Sequence, residues 1–238
     1  MNIRLKRYKK DFEHSYAIGV YPTLELLDQS PQNILSVVIH PKGNVNEGVN
    51  KIKGRCDELE IPVEFHEKFF QRIGARENDY AFGVFKKGFQ PLMSSDNHVV
   101  LINPMSKGNL GTIIRTMIGF DFRNLSIIQP ATDVNHPDVI RASMGAIFQL
   151  HIEEFQNFNQ YRESFNRNIY TLMTNGKTNL SEASFKEPYC LVFGNESSGL
   201  PESFNSLGQS VKIPQNNNID SMNLAIAAGI TLYHASIL

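Results

Sequence analysis

Through residues 98–238 short apolar runs alternate with stretches of helical spacing, and no other feature limits the fold of this chain as tightly. "HVVLINP" (98–104), "NLSIIQP" (124–130), "NIYTLMT" (168–174), "CLVFG" (190–194) and "VKIP" (211–214) suit buried strands. "NLGTIIRTMIGF" (109–120), "DVIRASMGAIFQL" (138–150) and "DSMNLAIAAGITLYHASIL" (220–238) carry helical patterns. Asn109 is a plausible N-cap for the first of these helices, and Asp220 or Ser221 for the last. Strands separated by helices cannot pair as tight hairpins. They need crossovers, and crossovers build a mostly parallel sheet with helices on both faces. The fold class is therefore α/β.

A smaller α/β unit precedes this region. "ILSVVIH" (34–40), "IPVEFH" (61–66) and "YAFGVFK" (80–86) read as strands, "YPTLELLDQ" (21–29) and "NEGVNKIKGRCDELE" (46–60) as helices. "KKGFQPLMSSDN" (86–97) has Gly, Pro and Ser and no period, and reads as a linker. Two domains follow, at 1–90 and 96–238, which is comfortable for 238 residues.

Composition narrows the setting. No run approaches the roughly 20 apolar residues that span a bilayer. The basic start lacks the apolar stretch of a secretory signal, so cytoplasm is the expected location and no membrane partner is expected. Cys56 and Cys190 are the only cysteines, too few for a disulfide framework and not spaced for zinc, so free thiols and no metal are expected. A net charge of −1 argues against bulk coating of nucleic acid. The first ten residues still hold Arg4, Lys6, Arg7, Lys9 and Lys10 with no acid. This segment is either a solvated tail or an RNA-contacting arm.

Three stretches stand out within residues 96–238. "LVFGNESSGLP" (191–201) runs a strand into a glycine-bounded loop that carries Glu196. A phosphate-binding P-loop would need Lys and then Ser or Thr after the second glycine, but Leu200 and Pro201 stand there. A plain tight turn explains the glycines. It leaves unexplained a carboxylate at a strand's C-terminal end, where open α/β sheets place ligands. In the helix at 109–120, Arg115 lies among Ile113, Ile114, Met117 and Ile118. It needs an anionic ligand, or it snorkels to a surface carboxylate. The last stretch, "IPQNNNIDSMNLAIAAG", is a polar loop leading into a helix apolar nearly all round, as expected of a helix buried in the core or against a second subunit.

Together and in this order these stretches resemble the SpoU (also called TrmH) family of RNA ribose 2′-O-methyltransferases. Asn109 to Arg115 is similar to the family's N-x-x-x-x-x-R motif. Gly194, Glu196, Gly199 and Leu200 are similar to its Gly-x-Glu-x-x-Gly-Leu motif. Ile213, Pro214, Ser221 and Asn223 are similar to its Ile-Pro…Ser-x-Asn motif. "VIRASMGAIFQLHI" (139–152) resembles the family's helix between the first two motifs. Met222 departs from the usual Leu, and "NNN" fills a loop where many members carry a small residue.

The resemblance implies an α/β trefoil-knot methyltransferase domain, with residues 16–86 forming a small substrate-binding domain of the ribosomal L30e type. It implies S-adenosylmethionine as cofactor, held by Thr174, Gly194, Asn195, Gly199, Ile213, Met222 and Leu224. It also implies a catalytic set of Arg115, Asn109, Glu196, Ser221 and Asn223, with Glu196 orienting the site or partnering Arg115. Arg115 would act either as a base or as a clamp on phosphate and alkoxide. A homodimer packed through the knot and last helix is implied, and an RNA substrate. Ribosomal RNA is favoured over transfer RNA by the extra domain, and guanosine as the nucleoside. A non-catalytic RNA-binding protein, and a methyltransferase acting on protein, small molecule or base, are the rival readings.

Overall fold

The computed structural model describes residues 5–216, 218 and 220–237. Arg4 of the basic arm, Asn217 of the asparagine run and Leu238 at the end of the last expected helix lie outside them. Contacts divide the chain into two units. One runs to Gly88 and takes in Asp133–Phe148; the other comprises Phe89–Thr132 and the chain from Gln149 onward.

In the first unit the elements are β1 (His14–Ile18), α1 (Val20–Gln29), β2 (Ile34–Ile39), α2 (Glu47–Glu58), β3 (Val63–Phe65), α3 (Glu67–Ile73) and β4 (Ala81–Lys86). Among the described residues its sheet has the order β1-β4-β2-β3, antiparallel except where β2 meets β3. Successive side chains of a strand face opposite sides. Val37 and Ile39 thus join Leu27, Val49, Ile52 and Cys56 in one core, while Val38 joins Tyr16, Phe70 and Phe82 in another. With both faces covered, the strands read as unbroken apolar runs. The Asn46 side chain starts α2 by accepting the Val49 N–H at 3.2 Å. The sequence reading passes over β1 and α3. The strand mixes buried Ser15 with its apolar residues, and the seven residues of α3 are too few to establish a period.

The segment 133–148, given to the second domain by the sequence boundaries, packs in the first unit. Tyr8 donates its hydroxyl to Asp133, and Arg141 pairs with Asp79, both side chains mostly buried. Phe148 meets Phe85 edge-on at 5.1 Å. The single helix expected over 138–150 is broken. The helix α5 is only Pro137–Ala142, and Met144 and Gly145 follow it with φ of 55° and 86°. Two left-handed residues in succession cannot continue a right-handed helix. A Cβ at Gly145 would stand 2.9 Å from Pro22 Cα and 2.7 Å from Glu25 Cβ, so the segment comes this close only because residue 145 lacks one.

The second unit contains β5 (His98–Ile102), α4 (Lys107–Gly119), β6 (Asn124–Ile128), β7 (His151–Phe155), α6 (Phe158–Ser164), β8 (Asn168–Leu172), β9 (Thr178–Asn179), β10 (Tyr189–Phe193), β11 (Gln209–Lys212) and α7 (Leu224–Ser236). Its sheet has the order β7-β6-β5-β10-β8-β11-β9, and its strand pairs run parallel. From β5 the chain builds β6 and β7 on one side, then crosses to β8 and β9 on the other before β10 enters between β5 and β8. The order reverses between β5 and β10, the position where open sheets of this kind open a crevice. Three short elements, β7, α6 and β9, escape the sequence reading.

The expected linker is built into this second unit beyond Phe89. Leu92 is buried in its core, Gln90 bridges to His151, and the Met93 N–H donates to Asn124 Oδ1 at 2.8 Å. The segment is held from below by buried His98. Arg167 Nη2 donates to the carbonyls of Met93 and Ser94, each at 3.0 Å, and lies 2.8 Å from His98 Nε2. The same Nε2 lies 3.0 Å from the Met93 carbonyl, and Nδ1 lies 3.0 Å from the Tyr161 hydroxyl, so both ring nitrogens have polar partners. Burial pushes the His98 pKa down to about 4, and the Arg167 charge adds to the effect.

Gly145→Ala should destabilise the protein by about 1–3 kcal/mol. Thermal melting checks this, together with faster proteolysis within 133–148. For His98, the unfolded state takes up a proton near pH 6.5 while the folded state resists down to about 4. Stability should therefore fall with pH across that window, by on the order of 3 kcal/mol. Melting of wild type and His98→Asn across pH 7 to 4 should show a flatter profile in the variant.

Candidate functional site

The loops that follow β8, β10 and β11 converge at the C-terminal ends of their strands. Between them and the start of α7 lies a cavity of about 400 Å³. Leu172, Val211, Ile213, Leu224 and Ala227 form apolar walls, and Glu202 and Asp220 bring carboxylates. Each residue that the family resemblance assigned to cofactor binding lines this one cavity: Thr174, Gly194, Asn195, Gly199, Ile213, Met222 and Leu224. So do Glu196 and Ser221. Asn109, Arg115 and Asn223 do not line it.

The loop after β10 is shaped by its own polar groups. Asn195 and Gly199 exchange backbone hydrogen bonds, with Asn195 N–H donating at 3.2 Å and Gly199 N–H at 2.9 Å. Asn195 Oδ1 accepts the Ser197 N–H at 2.9 Å, and its Nδ2 donates to the Asn103 carbonyl at 2.7 Å. The Asn195 side chain is therefore committed to the loop, and what it offers the cavity is main chain. A Cβ on Gly194 would fall 2.1 Å from the Gly199 carbonyl carbon, so only glycine permits this closure.

Glu196 explains why a carboxylate stands at the end of a strand. Its Oε1 accepts the Ser106 N–H at 2.9 Å and its Oε2 the Met105 N–H at 3.1 Å. Both donors lie at the N-terminal end of α4, where unpaired N–H groups and the helix dipole favour an anion. Partial burial would raise the Glu196 pKa; these backbone donors and the Asn109 side chain outweigh it, and the pKa is lowered. Asn109 in turn accepts from Asn223 Nδ2 at 3.2 Å. Asn223 Oδ1 caps α7, accepting the Ala225 N–H at 2.9 Å. One string, Glu196–Asn109–Asn223, thus joins the three sequence motifs and the N-termini of two helices.

This geometry corrects several expectations. Asn109 is not the N-cap of its helix. Ser106 is, its hydroxyl accepting the Asn109 N–H at 3.3 Å, and α4 begins at Lys107. The Ser-x-x-Asn spacing ahead of an apolar run carried that signal. Neither Asp220 nor Ser221 caps α7, because Asn223 does. Glu196 does not pair with Arg115; its oxygens are taken by α4. Arg115 is exposed and, among the described residues, has no carboxylate to snorkel to. It shares an exposed face of α4 with Gly108, Thr112 and Gly119. Helix α7 packs on α4 and turns outward a stripe of Ile226, Ile230, Tyr233 and Ile237, each 38–62% exposed. The cavity-lining Glu202, Asp220 and Gln215 had no sequence signal beyond their polarity.

Comparison with known proteins agrees with this arrangement. The SpoU rRNA Methylase family matches residues 96–233. The 23S rRNA (uridine(2479)-2'-O)-methyltransferase of Streptomyces viridochromogenes is 30% identical over 146 residues, covering 58% of this chain and 51% of that protein. This chain thus spans about half the length of that protein, as it does of a Synechocystis sp. tRNA/rRNA methyltransferase. An rRNA methyltransferase of Sinorhizobium meliloti, solved with AdoMet bound, is 26% identical with a TM-score of 0.77, over 93% of this chain and 86% of that one. A protein solved to explain 2-OH methylation of C/U34 on tRNA is 29% identical with a TM-score of 0.56, over 60% of this chain and 95% of that one. With its match extending over more than half of its length, the chain belongs to the SpoU rRNA Methylase family.

Proposed function

We propose that this protein is an S-adenosylmethionine-dependent RNA methyltransferase that acts on a ribose 2′-hydroxyl, with ribosomal RNA as its substrate. One observation carries the reading: the residues expected to hold the cofactor line a single cavity at the C-terminal ends of adjacent parallel strands. The cavity suits S-adenosylmethionine in volume and chemistry. Its apolar walls match an adenine ring, Gly194 and Gly199 bring main chain to the lining, and Glu202 and Asp220 favour a positively charged ligand. When bound, the cofactor supplies an electrophilic methyl group on a sulfonium. A trefoil knot and the L30e-type first domain belong to the same proposal, supported by the family match and by the three converging loops.

The chain's own residues divide the work. Gly194, Asn195, Gly199, Ile213, Met222 and Leu224 hold the cofactor, with Thr174 at the edge. Glu196, through Asn109 and Asn223, fixes the loop after β10 against both helices, and Ser221 shapes the rim. Arg115 binds the phosphate beside the target ribose and stabilises the developing alkoxide. This role fits a group that stays protonated better than proton abstraction does. Within its own chain Arg115 lies outside the cavity lining, which supports its serving the cavity of a second copy. The outward apolar stripe of α7, on the helix packed against α4, supports a homodimer with composite sites. The two free, buried thiols support a reducing, cytoplasmic setting.

Ribosomal RNA is favoured over transfer RNA by extent of likeness. The Sinorhizobium rRNA enzyme covers 93% of this chain, whereas the protein of the tRNA study covers 60%. Guanosine is the nucleoside the resemblance favours. The Streptomyces relative acts on a uridine, so mapping must leave the base open. Labelled cofactor, total RNA from cells lacking the protein and mapping of the product test the reading; no transfer to any RNA would overturn it.

Arg115→Ala should lower methyl transfer at least ~100-fold, the scale of losing one transition-state donor, while calorimetry shows S-adenosylmethionine affinity within about twofold. Mixing Arg115→Ala chains with cofactor-deficient Gly194→Ala chains should restore roughly one quarter of the activity if sites are composite, because half the dimers are mixed and each has one intact site. Glu196→Gln removes the anion from the start of α4 and sets an amide against the Met105 and Ser106 N–H groups. It should cost about 1–2 kcal/mol of stability and weaken cofactor binding, read by melting and calorimetry.

A further inference from the structure

We propose that the end of β3 and the face of α3 form a stacking platform for an unpaired RNA base. This site is separate from the cofactor cavity and lies wholly within the first unit. Phe65, the last residue of β3, is 53% exposed. The Lys53 ammonium stands 5.5 Å from the centre of its ring. Beside it, the rings of His66 and Phe69 stack at 3.8 Å and 11°, and the Arg72 guanidinium lies 5.7 Å from the Phe69 ring centre. His66 and Phe69 thus make a stacked pair with the Arg72 cation over the Phe69 ring. Phe65, His66, Lys68 and Arg72, with Glu67, border an open concavity of about 520 Å³. Glu67 turns one oxygen toward His40 Nε2, 3.8 Å away.

The chemistry selects the ligand. A protein partner would need a broad apolar patch, and Phe65 has exposed Glu64, Glu67 and Lys68 around it. A single exposed aromatic face flanked by cations suits one flat, polar ring linked to phosphate. Every nucleobase offers a π-face, so such a platform holds an unstacked base with little sequence preference. A duplex keeps its bases stacked and does not present one. Lys53, Lys68 and Arg72 supply charge to the adjoining backbone. The inference deepens the RNA-methyltransferase reading and rests on it: the platform would hold a single-stranded part of the substrate.

The test uses the full chain with a fluorescent ten-nucleotide uridine oligomer and a duplex of equal length, by anisotropy at low salt. The single strand should bind more tightly than the duplex. Phe65→Leu, which keeps an apolar side chain, should weaken single-strand binding roughly 5- to 100-fold, whereas Phe65→Tyr should stay within about twofold. Lys68→Gln and Arg72→Gln should each reduce the salt slope by about 0.7. Melting temperature and S-adenosylmethionine affinity should be unchanged in all four. Equal binding by Phe65→Leu and wild type, equal affinity for the duplex, or no binding of the oligomer would each overturn the platform. If wild type still methylates RNA in that event, the platform alone has failed. If it neither binds cofactor nor methylates RNA, the enzymatic reading has failed with it.

Discussion

Glu196 gives its two carboxylate oxygens to the Ser106 and Met105 N–H groups at the start of α4, and much of the second unit's site depends on that contact. The start of a helix leaves N–H groups without intrahelical partners and carries partial positive charge. An anion delivered by the loop after β10 satisfies both needs, and it lowers the pKa of the carboxyl group although partial burial works the other way. Asn109 passes the connection to Asn223, which caps α7. Segments far apart in sequence are thereby held in one register around the cavity. Gly194 serves the same end, letting main chain approach main chain where a Cβ would collide, and Gly199 turns the loop with a φ of 65°.

This bracing leaves Arg115 outside the network. It stands on the open side of α4 while the cavity is enclosed by loops from other strands. The loop after β10 is braced by Glu196, Asn109 and Asn223 while Arg115 takes no part in that bracing, the division that the proposed composite site requires. The apolar stripe of α7 next to that face has the spacing of one helix side, at residues 226, 230, 233 and 237, which is the pattern of a surface made to be covered.

The first unit is organised by different means. Its sheet is packed on both faces, and residues 133–148 close over it through the Arg141–Asp79 pair, the Tyr8–Asp133 contact and the glycine at 145. A stretch that interrupts the second unit's strand sequence thereby serves the first unit. From Leu5 onward the basic arm is not a purely solvated tail: Leu5 and Tyr8 pack on the first unit's core. Phe65 is not part of that core, whereas Phe69 packs against it.

Much of this was legible from local pattern. The α/β class and most strands of the second sheet follow from apolar runs separated by helical periods, because burial on both faces leaves little polar alternation to confuse the reading. Gly194, Glu196, Gly199, Ile213 and Ser221 of the second and third motifs line the cavity, whereas Asn109 and Arg115 of the first do not. Local pattern could not reveal that Glu196 serves α4 rather than Arg115, because that depends on which strands become neighbours. Nor could it show that 138–150 breaks at Met144 and Gly145 and joins the first unit, since a helical period does not register two left-handed residues and a close approach to Pro22. Sequence determined the strongly apolar strands and the longer helices, because those preferences are set by near neighbours. Which unit each segment joined and which polar group met which were settled only on packing, because those partners lie 90 to 125 residues apart along the chain.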